Sequence, residues 1–178
     1  AARSLDRLAP GKADLWDSGR VKGNQSVQVR YDGEPLKSSQ RIYWKVRVWD
    51  RDGQPSPWSE PAWWEMGLLA PDDWQAQWIG AGDETPQRDE DFYREHPAPL
   101  FRKEFELPKR VTRALLHITG LGYYEAHLNG SRVGDHQLDP GWTRYSARTL
   151  YSTYDVTRQL IASDMRQRQG ELDQQISI

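Results

Sequence analysis

Short segments in which apolar and polar residues alternate mark the first part of the chain. In residues 41–49 one face carries Ile42, Trp44, Val46 and Val48. A period of two is typical of a half-buried β-strand, and the turn residues 50–53 follow it directly. Weaker alternation at residues 27–31 and 63–68 predicts two further strands on either side. This part of the chain is therefore predicted to form a β-sheet.

The same pattern returns in the later part of the chain. Strands are predicted at residues 101–107, 114–118 and 150–156. Between them, residues 122–133 contain Asn129-Gly130, the strongest short signal for a β-hairpin. Short strands separated by turn signals are typical of β-sandwiches. We therefore predict an all-β fold made of two sandwich units.

Changes in this pattern suggest the domain boundaries. Residues 1–69 are predicted to form the first unit and residues 70–157 the second. Residues 83–96 are polar and acidic, and we interpret them as a long exposed loop. Residues 158–178 contain no aromatic residue and no alternation, which predicts a polar tail that is either a marginal helix from Ser163 or disordered.

Composition decides between a folded and a disordered chain. Leu, Ile, Val and Phe together make up only 33 of the 178 residues, a low share for a globular protein. Disorder also requires high net charge and few aromatic residues, whereas this chain has a net charge of −2 with nine Trp and eight Tyr. Each aromatic side chain buries on the order of 150–250 Å². We therefore expect a folded chain with an aromatic-rich core.

Charge, cysteine content and hydropathy exclude several classes of function. With 24 basic and 26 acidic residues, the chain lacks the positive field that nucleic-acid binding needs, so no nucleic-acid partner is predicted. The absence of cysteine excludes disulfides and thiolate chemistry. The mean hydropathy is −0.90, and no apolar run is long enough for a membrane span. Residues 1–11 lack the order of a signal peptide, so we expect a soluble chain and assign no compartment.

Several segments resemble the N-terminal region of bacterial α-L-rhamnosidases. In the first unit the similar segments are residues 15–19, 43–50, 58–62 and 65–69. At the join and in the second unit they are residues 73–74, 78–80, 101–105, 122–125, 128–130, 140–143 and 151–157. The segments follow the family's order from residue 15 to residue 157, and together they are specific. The resemblance implies a fibronectin III-like domain followed by a jelly-roll domain.

The same resemblance implies a function for the chain. It would be the non-catalytic accessory region of a glycosidase that acts on terminal α-L-rhamnose, with no cofactor. The expected partners are the catalytic barrel of the parent chain and rhamnose-containing glycans. Family members carry further strands before and after this stretch, so we expect a region incomplete at both ends, with exposed strand edges and low stability or oligomerisation. A free-standing carbohydrate-binding module and a protein-interaction or spacer module are the alternatives.

One acidic segment invites a catalytic interpretation. Residues 85–90, Thr-Pro-Gln-Arg-Asp-Glu, are similar to a stretch of the family's catalytic barrel. There a Gly-Trp segment follows, whereas here residues 91–94, Asp-Phe-Tyr-Arg, follow. Glycoside hydrolysis needs a pair of carboxylates, one of them with a raised pKa, and an exposed loop does not supply the burial that raises it. We therefore predict no catalytic residues in this chain.

The histidines offer no recognised metal-binding pattern. The four are His96, His117, His127 and His136. Zinc needs three or four converging ligands, and no spacing such as His-Glu-x-x-His occurs. We interpret these residues as strand-surface histidines and predict no metal site.

The loop at residues 138–145 gathers the residue types that sugar sites use. Such sites stack aromatic rings on the sugar and surround it with hydrogen-bonding side chains. The candidates are Asp139, Trp142, Arg144 and Tyr145. We favour a structural interpretation in which Trp142 closes the end of the sandwich and residues 139–141 shape a turn; sugar recognition is the alternative. Trp63 and Trp64 are adjacent in one strand and must point to opposite faces, so at least one should lie at a surface.

Overall fold

The computed structural model describes residues 1–9, 11–82, 87–94, 97–107, 109–161 and 174–178. Within that part, the chain divides into two compact units, Ala1–Gln77 and Trp78–Ile178. The predicted boundary between residues 69 and 70 lies inside the first of these units and stays a prediction. Three short 3-10 helices span Asp6–Leu8, Pro71–Asp73 and Asp89–Tyr93.

Apart from these turns and a helical stretch at residues 157–161, the regular structure of the described residues is antiparallel β-sheet. The prediction of an all-β fold is therefore confirmed. No helix within the described ranges is long and apolar enough to cross a membrane.

The first unit is built around a two-stranded sheet of β1 (Arg41–Trp44) and β2 (Ala62–Glu65). Ile42 lies opposite Trp64 in this sheet and is completely buried. The ring of Tyr31 contacts two indoles edge-on, with centroid distances of 5.5 Å to Trp16 and 6.1 Å to Trp64. The buried apolar residues in the described part of the unit are Ala2, Leu8, Leu15 and Ile42. The predicted aromatic-rich core is therefore found only in part: Trp16, Tyr31 and Trp64 are half-buried and lie beside buried residues that are aliphatic.

Two strand predictions in this unit need correction. The predicted strand at residues 27–31 is wrong: these residues are not in a strand, and Val27 and Val29 are 70% and 63% exposed. Gln28 has a φ of 56°, in the left-handed region, which breaks the extended backbone that alternation requires. The predicted strand at residues 41–49 is regular only as far as Trp44.

The two neighbouring tryptophans of β2 separate as predicted. Trp64 is half-buried, whereas Trp63 is 56% exposed. Because successive side chains of a strand point to opposite faces, the sheet has an inner face at Ile42 and an outer face at Tyr43, which lies opposite Trp63.

Within its described residues, the second unit contains six strands. They are β3 (Arg102–Phe105), β4 (Leu115–Ile118), β5 (His127–Leu128), β6 (Ser131–Arg132), β7 (Ser152–Asp155) and β8 (Gln174–Ser177). One sheet has the order β3-β8-β5-β6, and β4 pairs with β7 in a second sheet. The core cluster consists of Ile118, Ala126, Leu128, Val133, Val156 and Leu160. The strands predicted at residues 101–107, 114–118 and 150–156 are confirmed, each shorter than predicted.

The last strand corrects the prediction for residues 158–178. The end of that segment is neither helix nor disorder, because β8 pairs with β3 on one side and β5 on the other. Ile176 and Ile178 alternate with polar residues and pack against the core cluster. Residues 157–161 are helical, whereas the predicted helix start at Ser163 lies outside the described residues.

The Asn-Gly hairpin is confirmed and positions the loop that follows it. Asn129 and Gly130 have φ values of 53° and 77°, the left-handed pair that a tight two-residue turn between β5 and β6 requires. Beyond β6, Gly134 approaches the ring of Tyr154 on β7 so closely that a Cβ would collide with the ring. Only glycine fits there, and the contact brings the following loop alongside β7.

Candidate functional site

Asp139 lies where the loop after β6 meets β7. The backbone nitrogen of Tyr124 donates to the carbonyl oxygen of Asp139 at 3.1 Å. The next residue, Pro140, is completely buried and fixes the loop against the unit. Only 16% of the Asp139 side chain is exposed. The sequence thus holds a carboxylate close to the core, where its charge needs hydrogen-bond donors.

Donors surround this carboxylate. The Tyr124 hydroxyl donates to Asp139 Oδ2 at 2.9 Å, the Tyr154 hydroxyl donates to the same oxygen, and His136 Nδ1 lies 3.6 Å from it. Burial acts to raise the pKa of Asp139, but hydrogen bonds from Ser152, Tyr154, Tyr124 and His136 outweigh it and hold the pKa below its ordinary value. Asp139 is therefore an ionised acceptor rather than a proton donor.

The two phenols are held in the complementary state. Burial, together with hydrogen bonds to Tyr154 and Asp139, raises the pKa of Tyr124 far above its ordinary value. Burial, followed by the hydrogen bond to Asp139, also raises the pKa of Tyr154. Both hydroxyls keep their protons and act as donors to the carboxylate, so we call these residues, with His136, the Asp139 cluster.

Trp142 forms an exposed aromatic platform with Tyr123. The two ring centroids are 5.9 Å apart and the ring planes are 12° from parallel. Trp142 is 71% exposed and Tyr123 is 52% exposed. The favoured interpretation, in which Trp142 closes the end of the sandwich, is therefore wrong, because the neighbouring Pro140 is the residue of this loop that is buried.

Arg144 and Tyr145 lie on the next turn of the loop. The Nε of Arg144 donates to Ser146 Oγ at 3.2 Å, and Tyr145 is 36% exposed. No hydrogen bond, ion pair or ring contact within the described residues joins either of them to Asp139 or Trp142. The structure thus separates the four candidates into a buried carboxylate, an exposed platform and an exposed turn.

Sequence reasoning missed four residues of this region. They are Tyr123, Tyr124, His136 and Tyr154. A signal was present for three of them, because the Tyr pair falls in the Gly-Tyr-Tyr-Glu segment and Tyr154 alternates with Ser152 along β7. The contacts of Tyr124, Tyr154 and His136 with Asp139, and of Tyr123 with Trp142, join segments distant in sequence, which spacing alone does not reveal.

The acidic segment and the histidines have local partners. In the described part of that segment, Arg88 pairs with Glu90 at 3.0 Å and with Asp91 at 3.2 Å. His117 Nδ1 lies 2.9 Å from Thr153 Oγ1, and His127 Nε2 lies 3.5 Å from a carboxylate oxygen of Glu125. Residues 83–86 and His96 lie outside the described ranges. Among the residues that the structure describes, no group of three His, Asp or Glu side chains is arranged to hold a metal ion.

Two families of β-sandwich domains match this chain. Residues 2–70 match the Rha78A-like, N-terminal immunoglobulin domain. Residues 109–165, which include the Asp139 cluster and Trp142, match the alpha-L-rhamnosidase N-terminal domain. The first family is described as immunoglobulin-like rather than fibronectin III-like, and both are β-sandwiches. The chain is thus a pair of sandwich domains of the kind found in one class of glycosidase.

Similar full-length proteins and structures agree with these matches. An alpha-L-rhamnosidase of Formosa agariphila is 42% identical over 174 residues, which cover 89% of this chain and 18% of the relative. The structure of alpha-L-rhamnosidase from Dictyoglumus thermophilum superimposes with a TM-score of 0.80 at 33% identity, covering 99% of this chain and 20% of that one. For the enzyme from Aspergillus terreus the TM-score is 0.71 at 35% identity, with coverages of 92% and 18%.

The chain therefore matches the N-terminal region of α-L-rhamnosidases, over both domains. It spans 18% of the length of the Formosa agariphila relative, so most of that protein has no counterpart here.

Proposed function

We propose that this chain serves an α-L-rhamnosidase as a non-catalytic accessory region and that its partner is the catalytic domain of the longer polypeptide. The observation that carries this proposal is the pair of N-terminal domain matches, over residues 2–70 and 109–165. The relatives with these domains are several times longer than the chain. That the longer polypeptide is an α-L-rhamnosidase is part of this proposal.

The chemistry of the largely buried Asp139 carboxylate supports a non-catalytic role. A glycosidase needs one carboxyl group whose pKa is raised, so that it can donate a proton to the leaving group. Hydrogen bonds hold the pKa of Asp139 below its ordinary value instead. In the described part of the acidic segment, Glu90 and Asp91 are paired with Arg88. These groups are arranged as acceptors and ion-pair partners.

A hydrolysis assay tests this proposal. We expect the purified 178-residue chain to release no nitrophenol from a nitrophenyl α-L-rhamnoside, and the longer polypeptide with its catalytic domain to release it. Mixing the chain with a separately produced catalytic domain should raise the melting temperature of that domain, because a ligand of the folded state stabilises it. Turnover by the chain alone would refute the accessory role, and an unchanged melting temperature would refute the partnership.

We also propose a second candidate function, carbohydrate recognition at the Trp142 face. The observation that favours it is the open platform of Trp142 and Tyr123, since sugar sites use exposed ring faces of this kind. Arg144 and Tyr145 are exposed on the following turn and would supply polar contacts. Asp139 would act indirectly, by holding the base of the loop.

Calorimetry with L-rhamnose tests this second candidate. We expect binding at millimolar sugar by the unmodified chain and its loss in Trp142→Ala, which removes the platform. Trp63→Ala is the matched control, because it removes an exposed indole from the first unit and should leave binding unchanged. No heat from the unmodified chain at millimolar sugar rejects the candidate.

A further inference from the structure

Beyond the β1–β2 sheet, the segment that follows β1 carries, with its neighbours, a row of alternating cations and indoles. Residues opposite one another on paired strands share a face, so Tyr43 and Trp63 define the outer face of this sheet. The row consists of Arg20, Trp49, Arg47, Trp58 and Lys45, and we call it the cationic ladder.

Each contact in the ladder lies within the range of a cation–π interaction. The Cζ of Arg47 is 5.1 Å from the ring centroid of Trp49 and 4.6 Å from that of Trp58. Arg20 Cζ lies 5.2 Å from the Trp49 centroid, and Lys45 Nζ lies 4.9 Å from the Trp58 centroid. Arg47 is therefore the central member, since it contacts both rings.

Two serines fix the backbone of the ladder. Val46 N donates to Ser59 Oγ at 3.1 Å while Ser59 N donates to Val46 O at 2.8 Å. Ser56 makes the same two bonds with Val48, at 3.1 and 2.8 Å. Two residues lie between the serines but only one lies between the valines, an extra residue of the kind found in a β-bulge. The bulge places Trp58 between Lys45 and Arg47.

The cations of the ladder are available to a ligand. Within the described ranges no carboxylate lies at ion-pair distance from Arg20, Lys45 or Arg47. Arg41 differs, because it lies 4.2 Å from the Trp63 centroid but also pairs with Glu65 at 3.1 Å. Stacking on an indole uses the flat face of a guanidinium and leaves its N–H edge free for a bidentate bond to a carboxylate. The rings also hold the donors in place, which lowers the entropy cost of binding.

We propose that the cationic ladder is a docking surface for a carboxylate-bearing polysaccharide. Charge complementarity requires an anionic ligand. Lys45 and Arg47 lie two residues apart, about 7 Å along an extended chain, so a polymer with regularly repeated carboxylates fits the row. Trp58 and Trp63 are 40% and 56% exposed and offer indole surface to sugar C–H groups. The choice of a polysaccharide over an acidic protein rests on the proposed function.

The probe for this proposal is polygalacturonate, and its fully methyl-esterified form is the comparator. The two polymers have the same sugar backbone and differ in the free carboxylate. We expect the full 178-residue chain to bind polygalacturonate in calorimetry at about 50 mM NaCl and to lose most of that affinity at about 500 mM, because the contacts are ionic. The esterified polymer should not bind. No binding of polygalacturonate at low salt overturns the proposal.

Two arginine variants locate the site. Arg47→Gln removes the central guanidinium and should weaken binding about tenfold, the usual effect of losing one charge-assisted hydrogen bond. Arg47→Lys keeps the charge but loses the forked pair of N–H donors. Its affinity for polygalacturonate should lie between those of the unmodified chain and of Arg47→Gln. Arg30→Gln removes the same charge from another exposed arginine of the unit and should leave the affinity unchanged. Circular dichroism verifies that each variant is folded.

The remaining outcomes separate this proposal from the proposed function. Equal weakening by Arg30→Gln and Arg47→Gln would mean non-specific attraction and would overturn the site. Binding of polyglutamate as tight as that of polygalacturonate would assign the ladder to an acidic protein instead. Neither result affects the hydrolysis assay or rhamnose binding at Trp142. Conversely, Trp142→Ala should bind polygalacturonate as the unmodified chain does.

Discussion

The two units use different chemistry to build the same class of fold. In the first unit Tyr31 contacts the indoles of Trp16 and Trp64 edge-on, beside a few buried aliphatic residues. In the second unit the core cluster consists of six aliphatic residues, with the tyrosines at its margin. The scarcity of aliphatic residues in the whole chain therefore conceals an uneven distribution, which a single composition value cannot represent.

The polar groups of the two units differ in the same way. In the first unit, exposed cations lie over the faces of indole rings, as Arg47 does between Trp49 and Trp58. In the second unit, the hydroxyls of Tyr124 and Tyr154 donate to a carboxylate that is largely buried. Aromatic residues thus bind cations on their ring faces at one surface, and donate hydrogen bonds from their hydroxyls beside the other core.

The largest expected effect comes from the aromatic core of the first unit. Trp64→Ala should lower its free energy of unfolding by about 3–5 kcal/mol, because a packed indole is replaced by a cavity. Trp63→Ala is the control from the same strand, and its exposed ring should cost about 1 kcal/mol or less. Urea unfolding followed by circular dichroism measures both. Equal losses for the two variants would contradict the aromatic core.

The aliphatic core of the second unit should respond slightly less. Leu128→Ala should cost about 3 kcal/mol, because this side chain is 3% exposed within the core cluster. Leu121→Ala, at a position that is 61% exposed, should change the free energy of unfolding by less than about 0.5 kcal/mol. The same urea titration measures these variants. A negligible change in the free energy of unfolding for Leu128→Ala would show that the core cluster does not stabilise the second unit.

A smaller effect is expected at the Asp139 cluster. Tyr154→Phe keeps the ring against Gly134 and removes the hydroxyl that donates to Asp139. The loss should be about 1–2 kcal/mol, because a largely buried carboxylate loses one of its donors. Tyr93→Phe removes a hydroxyl from a side chain that is 88% exposed and should be neutral. Thermal melts compare the melting temperatures of the two variants. If Tyr154→Phe lowers the melting temperature no more than Tyr93→Phe does, the hydrogen bond to Asp139 does not stabilise the unit.

The smallest effect is a dependence of stability on pH. The folded-state pKa of Asp139 is lowered, so its ionised form stabilises the fold above the ordinary value of about 3.9, and this contribution is lost as the pH falls through the folded value. We expect the second unit to lose stability below about pH 4, and Asp139→Asn to flatten that loss. Asp135→Asn removes an exposed carboxylate of the same loop as control. If Asp139→Asn loses as much stability below about pH 4 as the unmodified chain does, this assignment is contradicted.

The alternation of apolar and polar residues was sufficient to predict the strands wherever the backbone is extended. Alternation located β1, β2 and β7, and Asn129-Gly130 located the hairpin, because each signal acts within a few residues. The prediction at residues 27–31 was wrong because a single positive φ at Gln28 interrupts the strand. The strand β8 was missed because only Ile176 and Ile178 mark its alternation, and its partners are distant in sequence.

The candidate site was only partly predictable for the same reason. Residue type was enough to select Asp139 and Trp142 from the loop. Their environments depend on contacts between segments, since Tyr154 reaches Asp139 from β7 and Tyr123 reaches Trp142 from the segment before β5. Spacing therefore selected residues of the right chemistry but not the buried or exposed setting of each.

The position of β8 inside its sheet has a consequence for synthesis on the ribosome. Arg102 is paired with Ser177, so the sheet of the second unit cannot close until β8 has left the exit tunnel. The β1–β2 sheet of the first unit, by contrast, pairs Arg41 with Glu65 and can form while the rest of the chain is still being translated. Domains folding in order of emergence is the general rule, and here the nascent chain would carry a finished first unit ahead of an open second one.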